Sequence, residues 1–364
     1  MPATGSPRFA SVDALRGITV AAMIFVNDPG DWSHIFGPFG HAGWHGGTPT
    51  DLIFPTFLFL VGVSLALAGG PRVDAGGDLG ALQRAWWWRA LRILLLGWAL
   101  AAVAVWALPA APDFPVPWRP MGVLPRIAIC FAVVGWLYLH AGARTRGVLY
   151  VALLAGYAAL LWAGGDLSRE HSLPSRVDTW LLGRLEYHYD PATGLGYDPE
   201  GFLSTLGALT NTLLGAQCGD WLRRGRRRPL LVAGAVLLAL GFALHERGPI
   251  PMNKALWTPA FALFSGGFSA LALVLVHHLV DQRGWPPLGR RFGVNAITAY
   301  AGSILLACLL DGTPLHRWLY GPLAAALSPA LGPAVPSHLY AAAQVLFWWL
   351  VLVWMDRRRI RISI

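Results

Sequence analysis

The chain has little charge, few cysteines and a single lysine. Of its 364 residues 13% are charged and 55% are hydrophobic, and the mean hydropathy is +0.50. One soluble core cannot bury so much apolar surface, so a soluble globular protein is excluded and an integral membrane protein is predicted. The three cysteines lie in or beside apolar runs without metal-ligand spacing, and we interpret them as buried packing thiols: Cys130, Cys218 and Cys308.

Arginine supplies almost all of the positive charge. Lysine and arginine together number 28 against 19 acidic residues, and every one of the 28 except Lys254 is arginine. In a soluble protein this excess would indicate a nucleic-acid partner. Here the arginines stand between apolar runs, so membrane topology explains them and no nucleic-acid partner is expected.

Ten apolar segments are long enough to cross about 30 Å of hydrocarbon. They predict an all-α fold, a polytopic membrane helical bundle of about ten transmembrane helices that forms one domain over residues 1–364. The run at 17–26 resembles a signal-peptide core, but no small-residue cleavage site follows it, so a retained first span is expected. The predicted spans are residues 12–28, 51–69, 85–108, 120–140, 147–164, 201–221, 229–245, 257–279, 292–310 and 338–356.

Basic residues predict the orientation. Twenty of the 28 lysines and arginines fall on one side of the ten spans, which marks that side as cytoplasmic and places both termini there. The loops that hold His41, Glu186 and Asp311 are then on the outer side, where most acidic residues also fall. No internal repeat is visible, so the inverted-repeat architecture of many secondary transporters receives no support.

Polar and titratable residues crowd the loop between the first two spans. Ionisable groups beside hydrocarbon are expensive, so such a cluster indicates function. A neutral imidazole at His41 can accept a proton from an amine or a hydroxyl. Asp51 either caps the second helix or orients His41. Asn27 either ends the first helix before a turn or holds the polarised carbonyl of an acyl group, as in an oxyanion hole.

Two further groups of residues flank this loop. On a helix, His41 and His45 would share one face and with His34 would resemble a metal site, but the glycines among them argue against a helix, so no metal is expected. At the other end of the first span, Asp13 and Arg16 lie three residues apart, downstream of Arg8. They form either a structural ion pair or a site for an anionic ligand, because arginine binds phosphate bidentately.

Other polar residues lie near the predicted outer ends of the spans and are candidates for lining a cavity for the acceptor of such an acyl group: Arg126, Glu200, Asn253, Lys254 and Asn295. For Arg126 and Lys254 the alternative is snorkelling to the interface. The outer loop 165–200 is rich in aromatic residues, which suit either stacking on a polar ring compound or an interfacial belt.

These motifs carry a resemblance to a known family. The chain resembles transmembrane acyltransferases of the heparan-α-glucosaminide N-acetyltransferase type and their bacterial relatives. Each motif is short, and their shared order makes the resemblance specific. The matching segments are residues 11–17, Asn27, 41–44, 50–55, 122–127, 198–206, 253–258 and 293–296.

The resemblance implies that cytoplasmic acetyl-CoA donates its acyl group to an amino sugar across the membrane. In that family a histidine matching His41 is catalytic, residues matching Asn27 and Asp51 lie with it, and we add Trp44 and His45 as candidate acceptor-binding residues. Pro125 replaces a glutamine frequent in the family, and the large luminal domain of the lysosomal enzyme is not found. The expected acceptor is therefore an envelope glycan or an imported sugar, and the expected location is the bacterial inner membrane. The other expected partners are membrane lipid and, as an option, a second copy in a homodimer.

The nucleotide of CoA is highly charged and is expected to stay inside, while its pantetheine arm threads roughly half of the bilayer. Arg8 and Arg16, beside Asp13 and with arginines of the inner loops, are predicted to hold the phosphates. His41 then either attacks the thioester, with ping-pong kinetics, or deprotonates an acceptor bound together with the donor. The rival from another class is a proton-coupled transporter of a sugar or lipid precursor that uses His41 and Asp51 as its proton pair. A membrane scaffold in which the cluster only caps helices is the third hypothesis.

Overall fold

The computed structural model describes residues 9–108 and 118–362. These residues are mostly helical, as predicted, and one short antiparallel hairpin, β1 (His188–Asp190) with β2 (Leu195–Tyr197), lies in the loop before residue 205. The helices are α1 (Ala10–Asn27), α2 (Ile53–Asp74), α3 (Leu79–Ala107), α4 (Val123–His140), α5 (Ala143–Gly164), α6 (Leu173–Leu182), α7 (Thr205–Arg223), α8 (Arg227–Arg247), α9 (Pro259–His277), α10 (Arg290–Val294), α11 (Ala296–Asp311), α12 (Leu315–Leu331) and α13 (Ala334–Arg357).

Within the described residues, eight helices are long and apolar enough to cross a membrane. Nine qualify if α11 and α12, which meet at an angle of 83°, count as one broken span. The count of ten and the shared side of the termini are thus not confirmed. Much of the difference lies in α7, which is rich in Thr, Asn, Gln and Gly yet is largely buried against α2, α4, α5 and α9. A helix enclosed by protein has no need of a lipid-compatible surface.

Helices α2 and α7 pack tightly along their length at the centre of the bundle. A Cβ atom on Gly215 of α7 would lie only 1.9 Å from the carbonyl oxygen of Phe59, so only glycine permits this approach. Arg223 at the end of α7 pairs with Asp74 at the end of α2 at 2.5 Å. We call this end, where α3, α5 and α8 begin, the arginine-rich end, and the opposite end the His41 end.

Large apolar side chains remain exposed on the outside of the bundle. They include Trp106 at 87% exposure, Val148, Val232 and Leu350. Exposed apolar surface on this scale is unfavourable in water and suits contact with lipid. The chain is a multi-pass membrane protein whose polar sites are enclosed by this apolar belt.

Candidate active site

His41 and Asp51 form a hydrogen-bonded pair at the His41 end of the bundle. His41 Nδ1 lies 2.7 Å from Asp51 Oδ1, and the Asp51 side chain is 1% exposed whereas that of His41 is 49% exposed. The second carboxylate oxygen accepts from the backbone N–H groups of Ala42 and Thr48, each at 3.0 Å, and so caps the 3-10 turn Pro49–Leu52 that precedes α2. Asp51 therefore contacts both the turn before α2 and the His41 ring, and its role in orienting the ring stays a prediction.

Lys254 completes a cluster of three with His41 and Asp51. Its Nζ lies 3.1 Å from Nδ1 and 3.4 Å from Nε2 of His41, and 3.5 Å from Asp51 Oδ1. Burial lowers the pKa of Lys254, while Asp51 and Glu200 favour its charged form. An ammonium group can donate to both the imidazole and the carboxylate, so Lys254 joins the pair as a hydrogen-bond donor.

The loop between α8 and α9 positions Lys254. Asn253 is fully buried and donates from Nδ2 to the carbonyl of Trp44 at 2.9 Å, while its Oδ1 accepts from Leu256 N at 2.8 Å. Trp257 is held at φ 48°, a left-handed conformation that is unfavourable for a large side chain, and its indole donates to Asn211 Oδ1 at 2.9 Å. This loop is thereby fixed against the segment that carries His41.

We expect replacement of Lys254 by methionine to lower the transfer rate by about 10²-fold, because the ammonium group beside His41 and Asp51 is then lost as a donor to developing negative charge. The uncharged side chain of methionine fills similar space. The measurement is the transfer rate of the unmodified protein, Lys254→Met and Lys254→Arg. Arginine restores the charge and should restore part of the rate; an unchanged rate in Lys254→Met would contradict this role.

A second charged cluster lies beside the first. Arg119 bonds to Asp198 Oδ1 at 2.9 Å and to Glu200 Oε2 at 2.6 Å, and Arg126 is fully buried and donates to the carbonyl of Gly201 at 3.0 Å. Although burial raises the pKa of Glu200, Arg119 and Arg126 prevail and hold it below its ordinary value. Glu200 and Arg126 were expected near the acceptor cavity; the sequence pattern did not reveal Arg119 as their partner.

Aromatic residues of the outer loop pack beside Trp44. The rings of His188 and Tyr197 stack with centroids 4.7 Å apart, and Trp44 meets Tyr197 edge-on at 5.7 Å. The Arg169 guanidinium lies over Trp44 at 5.4 Å, and the Trp44 indole donates to the carbonyl of Leu167 at 2.8 Å. The loop therefore covers the segment that carries His41, which favours stacking on a ligand near the site over a purely interfacial belt.

Three carboxylates of this outer loop are buried. Asp178, Glu186 and Asp198 are each at most 5% exposed, and each has one oxygen without a hydrogen-bond partner in the described part of the chain. Burial, reinforced by neighbouring carboxylates, raises the pKa of Glu186 to about 7 and that of Asp178 to about 6. The folded loop thus favours the protonated forms.

We expect the stability of the protein to fall as pH rises. A carboxyl group whose pKa is raised in the folded state costs no stability at a pH below its pKa in the unfolded chain. It destabilises the protein progressively as the pH rises from there to the pKa in the folded state, here about 6 to 7. Glu186→Gln removes one of these groups. Between about pH 5 and pH 8 the melting temperature of this variant should therefore fall by a few degrees less than that of the unmodified protein. Glu170→Gln, at an exposed carboxylate of the same loop, is the matched control. Identical pH dependence of the two variants would contradict the prediction.

A cavity of about 280 Å³ runs through the bundle from the arginine-rich end towards the His41 end. Its walls are mostly apolar, and Arg16 and Arg89 line the part of it that faces the arginine-rich end. Arg16 donates to Ser64 Oγ at 2.7 Å and to Asp13 Oδ1 at 3.1 Å. The lining extends along α2 from Phe57 to Ala68, a rise of about 16 Å. The remaining lining residues include Met23, Ile93, Ile127, Phe131, Ile297 and Tyr300.

The other predicted site residues fall in different places. Asn27 ends α1 and is exposed, and within residues 9–108 and 118–362 no hydrogen bond joins it to His41. Packing of Phe25 against Phe39, with centroids 5.1 Å apart, attaches its helix to the loop that carries His41. His45 reaches the surface beside Trp44. The buried part of its ring and the nearby His245 lower its pKa. Arg8 lies outside the described residues.

Asn295 does not lie with the acceptor candidates. It joins α10 to α11 at the arginine-rich end, where its Oδ1 accepts from Ile362 N at 3.3 Å. A Cβ atom on Gly293 would lie 1.8 Å from the carbonyl oxygen of Asp13, so α10 is pressed against the beginning of α1. This close packing fixes Asn295 at the end opposite to His41, and the prediction of an outer position is wrong.

Known proteins resemble this chain over most of its length. Residues 8–169 match the family model described as heparan-alpha-glucosaminide N-acetyltransferase, catalytic. The human heparan-alpha-glucosaminide N-acetyltransferase is 27% identical over 368 aligned positions, which cover 81% of this chain and 52% of the human protein. The mouse protein of the same name is 25% identical over 374 positions, covering 82% and 54% respectively. The chain spans about half the length of these curated relatives.

Proposed function

We propose that the chain is a transmembrane acetyltransferase, because it is similar in sequence to the heparan-alpha-glucosaminide N-acetyltransferases. In this proposal acetyl-CoA binds from the cytoplasm at the arginine-rich end. The acetyl group passes to an amino sugar or a related glycan on the periplasmic side of a bacterial cytoplasmic membrane. No metal takes part in the proposed transfer.

The cavity through the bundle suits the donor. An uncharged pantetheine arm fits apolar walls, whereas the phosphates of the donor need arginines, which are concentrated at the arginine-rich end of the bundle. Phe57 lies six residues from Asp51, so the outer limit of the cavity is about 9 Å along α2 from the catalytic cluster. Tyr300, which lines the cavity, lies near Glu200, and Glu200 lies near Lys254.

The cluster of His41, Asp51 and Lys254 suits direct transfer. Because an ionised carboxylate can only accept, His41 Nδ1 donates to Asp51, and Nε2 carries no proton and can act as a base, with Lys254 Nζ 3.4 Å away. The nitrogen of the acceptor amine attacks the thioester carbonyl while His41 Nε2 takes a proton from this nitrogen. The carbon–sulfur bond then breaks, and the protonated His41 gives the proton to the CoA thiolate that leaves. Lys254 and Asn27 are the candidates for stabilising the negative charge on the carbonyl oxygen. In the other route His41 itself carries the acetyl group.

One observation carries the proposal: the hydrogen-bonded pair of His41 and Asp51 lies at one end of a bundle whose apolar cavity begins among arginines at the other. The test uses proteoliposomes with radiolabelled acetyl-CoA on one side and a panel of amino sugars on the other. We expect release of free CoA that depends on the acceptor, with label appearing on the sugar. Uptake of unmodified sugar without CoA release would overturn the proposal in favour of a transporter.

A further inference from the structure

We call the cavity of about 280 Å³ the transmembrane cavity. A second cavity, of about 390 Å³, lies beside it at the arginine-rich end. Arg291 lies with its guanidinium carbon 5.8 Å from the ring centroid of Trp349 and its Nε 3.5 Å from Asp356. Both members of this ion pair are about half exposed, so water screens it and Arg291 can turn to another anion. Arg290, Arg361 and Asn295 complete the polar lining.

The chain segment after α13 connects the two cavities. Arg359, at φ 57°, turns the backbone so that Ile362 N reaches Asn295 Oδ1. Arg361 then lines the second cavity and Ile362 lines the transmembrane one, while Val294 of α10 lines both. A ligand can therefore place one end in each cavity.

The second cavity is lined by charged and aromatic groups, whereas the transmembrane cavity is mostly apolar, so a ligand that fits both has a charged, aromatic end and an uncharged chain. Three guanidinium groups and an indole suit phosphates attached to an aromatic base, because guanidinium binds phosphate bidentately and indole stacks on planar rings. The adjoining apolar walls suit an uncharged chain. On the basis of the proposed function, we infer that the second cavity binds the 3′-phosphorylated adenosine diphosphate end of the acyl-CoA donor. Trp349 stacks on the adenine, and Arg290, Arg291 and Arg361 bind the phosphates.

This assignment moves the phosphates away from the position expected from the sequence. The Arg16 side chain is engaged by Asp13, Ser64 and the carbonyl of Gly293, inside the wall of the transmembrane cavity. It stands where the chain of the donor passes. The exposed arginines of the second cavity stand where a charged nucleotide remains in contact with water.

The test measures equilibrium binding of CoA, 3′-dephospho-CoA and pantetheine to the full chain in nanodiscs. The unmodified protein should bind CoA more tightly than 3′-dephospho-CoA. In Arg290→Ala/Arg291→Ala/Arg361→Ala the affinity for CoA should fall by about 10- to 100-fold, as expected for lost charge-assisted hydrogen bonds, and the preference for the 3′-phosphate should disappear. Pantetheine should bind this variant as it binds the unmodified protein, which also reports an intact fold.

The matched control removes three arginines at the same end that line neither of these cavities: Arg84→Ala/Arg144→Ala/Arg228→Ala. It loses the same charge and should keep CoA affinity within about twofold. Equal losses in the two triple variants, or retained discrimination of the 3′-phosphate in the first, would overturn the assignment while leaving the proposed function in place. Failure of the unmodified protein to bind CoA at all would instead overturn the proposed function, and this inference with it.

Discussion

Replacing His41 by alanine should lower the rate of acetyl transfer by about 10³-fold or more, the range expected when a general base is removed. The ring is half exposed, so its loss creates no buried cavity, and stability should change little. Binding of CoA should also persist, because the donor cavity is lined by other residues. The measurements are acceptor-dependent CoA release, CoA affinity and melting temperature on one preparation.

His34→Ala is the matched control. His34 lies in the same loop, is exposed to a similar degree and pairs with Asp31 at 2.7 Å, which reproduces a histidine–aspartate contact without Lys254. We expect this variant to retain full activity. Equal activity of His41→Ala and the unmodified protein would remove His41 from the chemistry and favour the scaffold hypothesis.

The two chemical routes differ in what can be isolated. If His41 carries the acetyl group, incubation with labelled acetyl-CoA alone releases CoA in one burst and leaves label on the protein. If His41 acts only as a base, no CoA is released until acceptor is added. We expect the second result. In the described part of the chain His41 contacts Lys254 and Asp51, and Asp51 also accepts from two backbone N–H groups, so these contacts leave no second base to activate the acceptor.

The sequence predicted those parts of the site that are close along the chain. His41 and Asp51 are ten residues apart, and Thr48 and Asp51 form a capping box, so local pattern alone brings them together. Lys254 comes from a loop more than two hundred residues away, and its place beside His41 depends on the buried contacts of Asn253 and Trp257. Spacing along one chain carries no signal for such long-range contacts.

The helices show the same division. Apolar length predicted helices at the positions of α1 to α5. Hydropathy cannot tell a lipid-facing helix from one enclosed by protein, so α7 was predicted as a span although it is not among the eight helices that are long and apolar enough in the described residues. The misplacement of Asn295 has a related cause. Its position depends on the close approach of Gly293 to α1, and only the folded backbone reveals this contact.

Asp51→Asn should lower the transfer rate by about 10²- to 10⁴-fold, the range for a histidine held in the wrong tautomer. The oxygen that accepts from Ala42 N and Thr48 N must remain an oxygen, so the new amide NH₂ faces His41. His41 Nδ1 must then accept, which moves the ring proton to Nε2 and removes the base from the acceptor. Activity and CoA affinity are measured together, and affinity should be unchanged.

Comparison with Asp51→Ala separates the two roles of the carboxylate. Alanine leaves the backbone N–H groups of Ala42 and Thr48 without an acceptor, so this variant should lose about 1–3 kcal/mol of stability as well as activity. The asparagine variant keeps the cap and should melt near the unmodified protein. Asp31→Asn changes an equivalent, more exposed aspartate that pairs with His34, and it should remain active. Full activity in Asp51→Asn would mean that the carboxylate only caps the turn before α2 and that the orientation of His41 comes from elsewhere.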